Sequence, residues 1–240
     1  MVHKLIFHPC ISHFVRLSSS VVGRDKLLRL FQFYARFRIW NLTRPGPLVL
    51  AKERWMVFMS RLALTRKVLR AGRSVEQIQT VTKAASASSN SMDHDCFLHY
   101  ISLLRHLLLA AYLVLDNATI LDSLGLYPWK SSRRITLQAA RFWFSAVVCG
   151  LCSQLYSFHR MKRALAELWV SLRADAKPDT SKYTVDKFQL LSNLCDLGIS
   201  SSAAGLIQIN EGLIGICGVI SSGVGIYRQV VPTSQQERSD

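Results

Sequence analysis

Residues 24–40, Arg-Asp-Lys-Leu-Leu-Arg-Leu-Phe-Gln-Phe-Tyr-Ala-Arg-Phe-Arg-Ile-Trp, restrict the fold more than any other stretch of the chain. Wound at ~100° per residue, they place Asp25, Arg29, Gln32 and Arg36 in one narrow polar stripe with Lys26 at its edge. Leu27, Leu28, Leu30, Phe31, Tyr34, Phe37 and Ile39 spread over most of the remaining circumference. An ordinary surface helix of a soluble domain carries a narrower apolar stripe. A wide, aromatic-rich apolar face with five basic residues against one acid suits a helix lying in the headgroup layer of an anionic membrane.

The charge balance agrees. Half of the 240 residues are hydrophobic, yet the formal charge is +15. Residues 1–90 hold 16 Lys/Arg against 3 Asp/Glu, whereas residues 91–240 hold 14 against 12. A basic part joined to a near-neutral apolar part fits a membrane protein with a cationic side. Nucleic-acid binding is the other usual meaning of such a charge. Here, however, the basic residues alternate with Leu, Phe, Met and Trp, and no nucleic-acid fold signature occurs, so no nucleic-acid partner is expected.

The six cysteines follow no regular framework, which argues against a disulfide-stapled secreted domain. Cys149 and Cys152 match C-x-x-C inside the uncharged run 142–158, where small apolar packing is the expected role. Residues 11–22 make a poor secretory signal, because His13, Arg16 and three serines interrupt them. The lack of any acid before Asp25 is a mitochondrial-presequence trait, and the C-terminus lacks a Ser-Lys-Leu matrix address.

Helical periodicity runs throughout, punctuated by Gly and Pro. Residues 1–83 read as a basic amphipathic region. Within it, the breaker at 43–47 separates the first helix from a second over 52–71, ended by Gly72. Residues 84–96 read as a linker, rich in Ala and Ser at 84–91. Residues 97–170 form a central helical region. Its 97–115 run is long enough to span a bilayer but carries Arg105, which costs at least ~2.5 kcal/mol at mid-depth and favours a buried or interfacial helix. The uncharged 142–158 run is a candidate span near the ~17-residue minimum.

Residues 171–187 read as a polar connector. Residues 188–240 hold the strongest membrane segment, 212–227, and a short polar tail. The pairs Gly218/Ser222 and Ser221/Gly225 have the small-xxx-small spacing that lets two transmembrane helices meet backbone to backbone, which marks a self-association surface. The expected fold is therefore all-α: a membrane-associated helical protein with N-terminal amphipathic helices and one or two C-terminal membrane-embedded helices.

Gly23-Arg-Asp-Lys-Leu-Leu-Arg-Leu-Phe-Gln-Phe-Tyr-Ala-Arg-Phe37 resembles the N-terminal signature of the peroxin-11 family of peroxisomal membrane elongation factors. Thr65-Arg-Lys-Val-Leu-Arg-Ala-Gly72, Tyr112-Leu-Val-Leu-Asp-Asn117, Leu190-Leu-Ser-Asn-Leu-Cys-Asp-Leu197 and Gly212-Leu-Ile-Gly215 resemble later blocks of fungal members, in the same order. Phe33-Tyr34 stands where many members carry Tyr then Phe, and the 171–187 connector lacks the charged run of some relatives.

The resemblance implies a peroxisomal membrane protein with its N-terminal region in the cytosol. It would elongate the organelle ahead of division by dynamin-type machinery and its membrane adaptors. Membrane insertion would fall to Leu27, Leu28, Leu30, Phe31, Tyr34, Phe37 and Ile39. Headgroup attraction would fall to Arg24, Lys26, Arg29, Arg36, Arg38, Arg66, Lys67 and Arg70, at about 1 kcal/mol each near an anionic surface. Homo-oligomer formation would use Gly218, Ser221, Ser222 and Gly225.

No catalytic constellation is present and no cofactor is expected, so the chain does not read as an enzyme. Asp93-His94-Asp95 is better explained as a solvated helix start than as a metal site. Gly212, Gly215 and Gly218 lack a phosphate-loop context. The competing readings are a solute pore lined by Arg105, Asp116 or Glu211, a scaffold for the division machinery, and a mitochondrial membrane protein.

Overall fold

A computed structural model of the chain describes residues 9–43, 49–88, 96–171 and 180–236. These form helices α1 (Pro9–Ser19), α2 (Val21–Leu42), α3 (Val49–Leu69), α4 (Arg73–Ser88), α5 (Cys96–Ala118), α6 (Ile120–Ser123), α7 (Ser132–Ser171), α8 (Thr180–Ala203) and α9 (Glu211–Gln236), with no strand among the described residues. The all-α expectation is met.

The chain divides into two compact units, one made of residues up to Arg70 and from Gln208 onward, the other of Ala71–Ile207. The C-terminal membrane helix thus joins the N-terminal basic helices in one body, although they lie at opposite ends of the sequence. Helix α4 runs through Ser88, so residues 84–88 of the expected linker are helical. Asp93-His94-Asp95 and residues 172–179 of the expected connector lie outside the described residues, while residues 180–187 of that connector are the helical start of α8.

In the first unit, α2 packs along α9 on one side and α3 on another, with α1 against α2 and α9. Ser20 caps α2: its hydroxyl oxygen accepts the Gly23 N–H at 2.9 Å, satisfying one of the orphan amides of the first turn. A side chain at Gly23 would collide with the Leu17 carbonyl, so glycine permits the tight α1–α2 corner. Gly72, at φ 84°, follows the end of α3 in the left-handed conformation that glycine adopts freely. Asn210 opens α9 by accepting the Gly212 N–H at 2.9 Å.

In the second unit, α5 and α7 lie antiparallel. Phe97 meets Tyr156 at 5.0 Å between ring centroids, and Tyr112 stacks on Trp143 at 6.1 Å. Arg105, between these contacts, rests on the backbone of α7: a Cβ at Gly150 would stand 3.2 Å from its guanidinium carbon. Helix α4 covers α5, where Gln77 and His106 share a 2.8 Å hydrogen bond. Helix α8 covers α7, where the Asn193 amide donates to Gln154 at 2.7 Å.

Among the described residues, three helices are long and apolar enough to cross a membrane, at Cys96–Ala118, Ser132–Arg160 and Glu211–Val230. The last two coincide with the segments expected from the sequence. The first was expected to be buried or interfacial because of Arg105, and that residue is the charge it folds against Gly150.

Candidate functional site

The first unit holds most of the residues singled out from the sequence, and its arrangement turns their polarity inward. Asp25 and Arg29 on α2 are buried, as is Arg66 on α3. The Arg66 guanidinium donates from Nε to Asp25 at 3.0 Å and from Nη1 to Gln32 at 2.6 Å. Burial pushes Arg66 below its ordinary pKa, and the Asp25 carboxylate opposes that shift. Arg29 lies 5.5 Å from the centre of the Phe33 ring, a cation–π contact within the same helix. At the far end of α2, Arg36 grips Glu211 of α9 through two bonds of 2.5 and 3.1 Å.

The polar stripe read from the sequence is real, but it faces neighbouring helices. Of the expected headgroup residues, Arg29 and Arg66 are placed in the protein interior and Arg36 is paired with Glu211. Arg24 is exposed, whereas Lys26, Arg38, Lys67 and Arg70 are half-buried. The Arg38 Nε is buried without a hydrogen-bond partner.

The expected insertion residues divide likewise. Phe31 and Tyr34 project outward, 49% and 45% exposed. Leu27, Leu28, Leu30 and Ile39 are half-buried. Phe37 turns toward α9, where a Cβ at Gly215 would come within 2.8 Å of its own Cβ. Met56, Val57 and Phe58 on α3 and Leu213, Ile216 and Ile220 on α9 are exposed as well. Tyr34 and Trp55 meet edge to face at 5.9 Å across the α2–α3 seam.

The small-residue face of α9 has an occupant from the same chain. A Cβ at Gly212 would reach the Trp40 ring at 2.5 Å, and one at Gly218 would overlap the Phe33 ring. One at Gly225 would meet the Lys26 side chain at 3.0 Å. Ser221 and Ser222 are fully buried, and the Ser222 hydroxyl donates to the Gly218 carbonyl at 2.6 Å. The stripe expected to bind a second copy therefore seats α2. Its glycines do what small residues do between membrane helices, which is to let two backbones approach.

The sequence reading missed the Asp25–Arg66 pair and the Arg105–Gly150 seat. A lone acid in a strongly basic helix was the available signal for the first. Nothing in the sequence singled out Gly150. Among the described residues, no group of three or more His, Cys, Asp or Glu is placed to hold a metal. Cys149 is half-buried and Cys152 exposed on α7, both as free thiols.

Charges buried between helices, with aromatic and aliphatic side chains exposed on the same helices, suit a helical protein that meets lipid. The family described as Peroxisomal biogenesis factor 11 (PEX11) matches residues 11–230. The chain belongs to this family.

Similar relatives cover nearly its whole length. The peroxisomal membrane protein PMP30A of Candida boidinii is 26% identical, over 93% of this chain and 95% of the relative. PMP27, a peroxisomal membrane protein of Saccharomyces cerevisiae, is 25% identical over 92% and 95%. The human peroxisomal membrane protein 11B is 22% identical over 91% and 96%. No solved structure matches the chain. The PEX11 match covers nearly all of both units, so the first unit's helices and the three candidate spans belong to the family region of the chain.

Proposed function

We propose that this protein resides in the peroxisomal membrane and reshapes it, elongating the organelle before division. One observation carries the reading: the first unit internalises Asp25, Arg29 and Arg66 while presenting Phe31, Tyr34, Met56, Val57 and Phe58 outward. Such a shell loses free energy in water, about 25 cal/mol per Å² of apolar surface left exposed, and gains it in acyl chains. Inserting that volume among the acyl chains displaces lipid around each copy and strains the flat bilayer. The excess of positive charge in residues 1–90 supports a cytosolic N-terminal end, with exposed Arg24 attracting anionic headgroups. Self-association would then make curvature collective, and dynamin-type machinery with its membrane adaptors would complete division.

The test is expression of the tagged chain, and of a Phe31→Asp/Tyr34→Asp variant, in cells with a fluorescent peroxisomal matrix marker. Both residues face outward, and the variant gives up only the Tyr34–Trp55 ring contact at the α2–α3 seam. Elongated peroxisomes with the native chain and normal ones with the variant are expected. Equal elongation by both would remove the outward face from the mechanism.

A solute-pore reading is favoured by one residue. Arg105, in a candidate span, has no carboxylate partner among the described residues. It predicts that Arg105→Gln changes solute flux across isolated peroxisomes and leaves their shape unaltered.

A further inference from the structure

We infer that α2 lies inside the bilayer at the depth of α9, with its Phe31 face against acyl chains, and not flat in the headgroup layer. The contacts between the two helices fix a register. Trp40 lies against Gly212, Phe37 against Gly215, Phe33 against Gly218 and Lys26 against Gly225. As the number rises along one helix it falls along the other, so the helices run antiparallel. The seam extends from Lys26 to Trp40, about 21 Å at ~1.5 Å per residue. Within the same unit, residues Glu211–Val230 of α9 form a helix long and apolar enough to cross a membrane. A helix pressed along most of that length, its ring and backbone atoms filling glycine gaps, cannot lie perpendicular to it. Once α9 spans, α2 is carried to the same depth.

The side chains of α2 are arranged for that depth. Between residues 27 and 35 the only charge is Arg29, which is buried against Phe33. Gln32 is satisfied by Arg66. The remaining charges fall toward the ends: Arg24 and Lys26 at one, Arg36 and Arg38 at the other, where long side chains reach the interface. Arg36 closes its end by pairing with Glu211 at the start of α9. Helix α3 lacks this distribution, because Arg61 is exposed midway along it, and the inference is confined to α2. The partner of the exposed Phe31–Tyr34 face is therefore hydrocarbon, at the depth of Ile220 on α9, which the register sets level with Phe31.

The experiment places a single spin-labelled cysteine at 31, 213 or 220 in the full-length, otherwise cysteine-free chain. The chain is reconstituted in phosphatidylcholine–phosphatidylserine vesicles. Phe31, Leu213 and Ile220 are all exposed, so labels there leave the packing intact. Collision with oxygen against collision with a water-soluble nickel chelate reports depth.

Labels at 31 and 220 are expected at equal depth, within one helical turn or ~5.4 Å, and both deeper than the label at 213. A label at 31 in the headgroup layer beside a deep label at 220 would overturn the inference, as would two shallow labels. Organelle elongation is scored separately, so a shallow residue 31 with normal elongation refutes the depth of α2 and leaves the remodelling role standing.

Discussion

The ring of Phe33 on α2 fills the space in which a side chain at Gly218 of α9 would begin. Phe33 is 7% exposed, and the atoms that would collide are at the root of its ring, so the ring has little room to swing aside. Gly218→Ala should destabilise the first unit by ~1–3 kcal/mol, the usual penalty of overpacking. Gly223 has open space around its Cα, and Gly223→Ala should be neutral or stabilising by up to ~1 kcal/mol through helix propensity. Denaturation in detergent micelles, followed by helical signal, separates the two. Equal effects would mean that the glycines serve propensity alone and that Phe33 does not seat there.

The Asp25–Arg66 pair predicts an asymmetry among charge variants. Its side chains are 9% and 10% exposed, so removing one partner strands a buried charge. Arg66→Met should cost about 3–5 kcal/mol, whereas Asp25→Asn combined with Arg66→Met should recover much of the loss. The Arg36–Glu211 pair is different, with side chains 33% and 59% exposed. Glu211→Gln should cost no more than ~1 kcal/mol. The same denaturation series checks all four proteins. A cost for Glu211→Gln as large as that for Arg66→Met would show that the end of α9 is far less accessible than the structure has it.

Arg105 makes a prediction about insertion. Alone in a 96–118 segment, it opposes entry into the membrane by ~2.5–3.5 kcal/mol at mid-depth. In the folded unit its guanidinium rests against Gly150, which the isolated segment lacks. Arg105→Leu should therefore raise insertion of the isolated segment strongly in a glycosylation-reporter assay. The same change should affect the full chain less, where α7 supplies the seat. Equal gains in both contexts would show that α7 does nothing for Arg105.

The fold class was legible because periodicity and apolar length are local properties, and α2, α7 and α9 carry both within their own residues. Pairings between distant segments were not. The Gly212–Gly215–Gly218 spacing announced a close-packed helix face, but a glycine stripe does not specify whether its occupant comes from another copy or from the same chain. Nor could the wheel of residues 24–40 say which side faces water. In a soluble helix the charged stripe points out; in this unit Asp25 and Arg66 point in because they pair across the α2–α3 seam, and Arg29 is buried against Phe33 of its own helix. The helical Ala-Ser residues before Ser88 were missed for a related reason. Serine and alanine are common in linkers, but alanine is also the best helix former, and α4 gains a packing surface on α5 that sequence alone does not display.

Ser20 separates two effects that a negative charge would have near the membrane. Phosphate at 18–20 would be repelled by anionic lipid, which by itself predicts weaker membrane contact. The structure gives Ser20 a second role as the cap of α2. It also places Ser20 in a cleft of ≈ 210 Å³ with His13, Arg16 and Gln229. An acidic group there meets the positive end of the α2 dipole and the Arg16 guanidinium, both favourable. Ser20→Ala should thus cost about 1 kcal/mol by removing the cap, and Ser20→Asp should retain most of the native stability. Ser18 and Ser19 bond only to carbonyls one turn back, so Ser18→Asp/Ser19→Asp should act through charge alone and weaken binding to anionic vesicles in low salt. The two variants are compared by vesicle flotation and by denaturation. A loss of vesicle binding by Ser20→Asp about half that of Ser18→Asp/Ser19→Asp, in proportion to one and two added charges, would assign membrane contact to net charge and leave the cap a purely structural part.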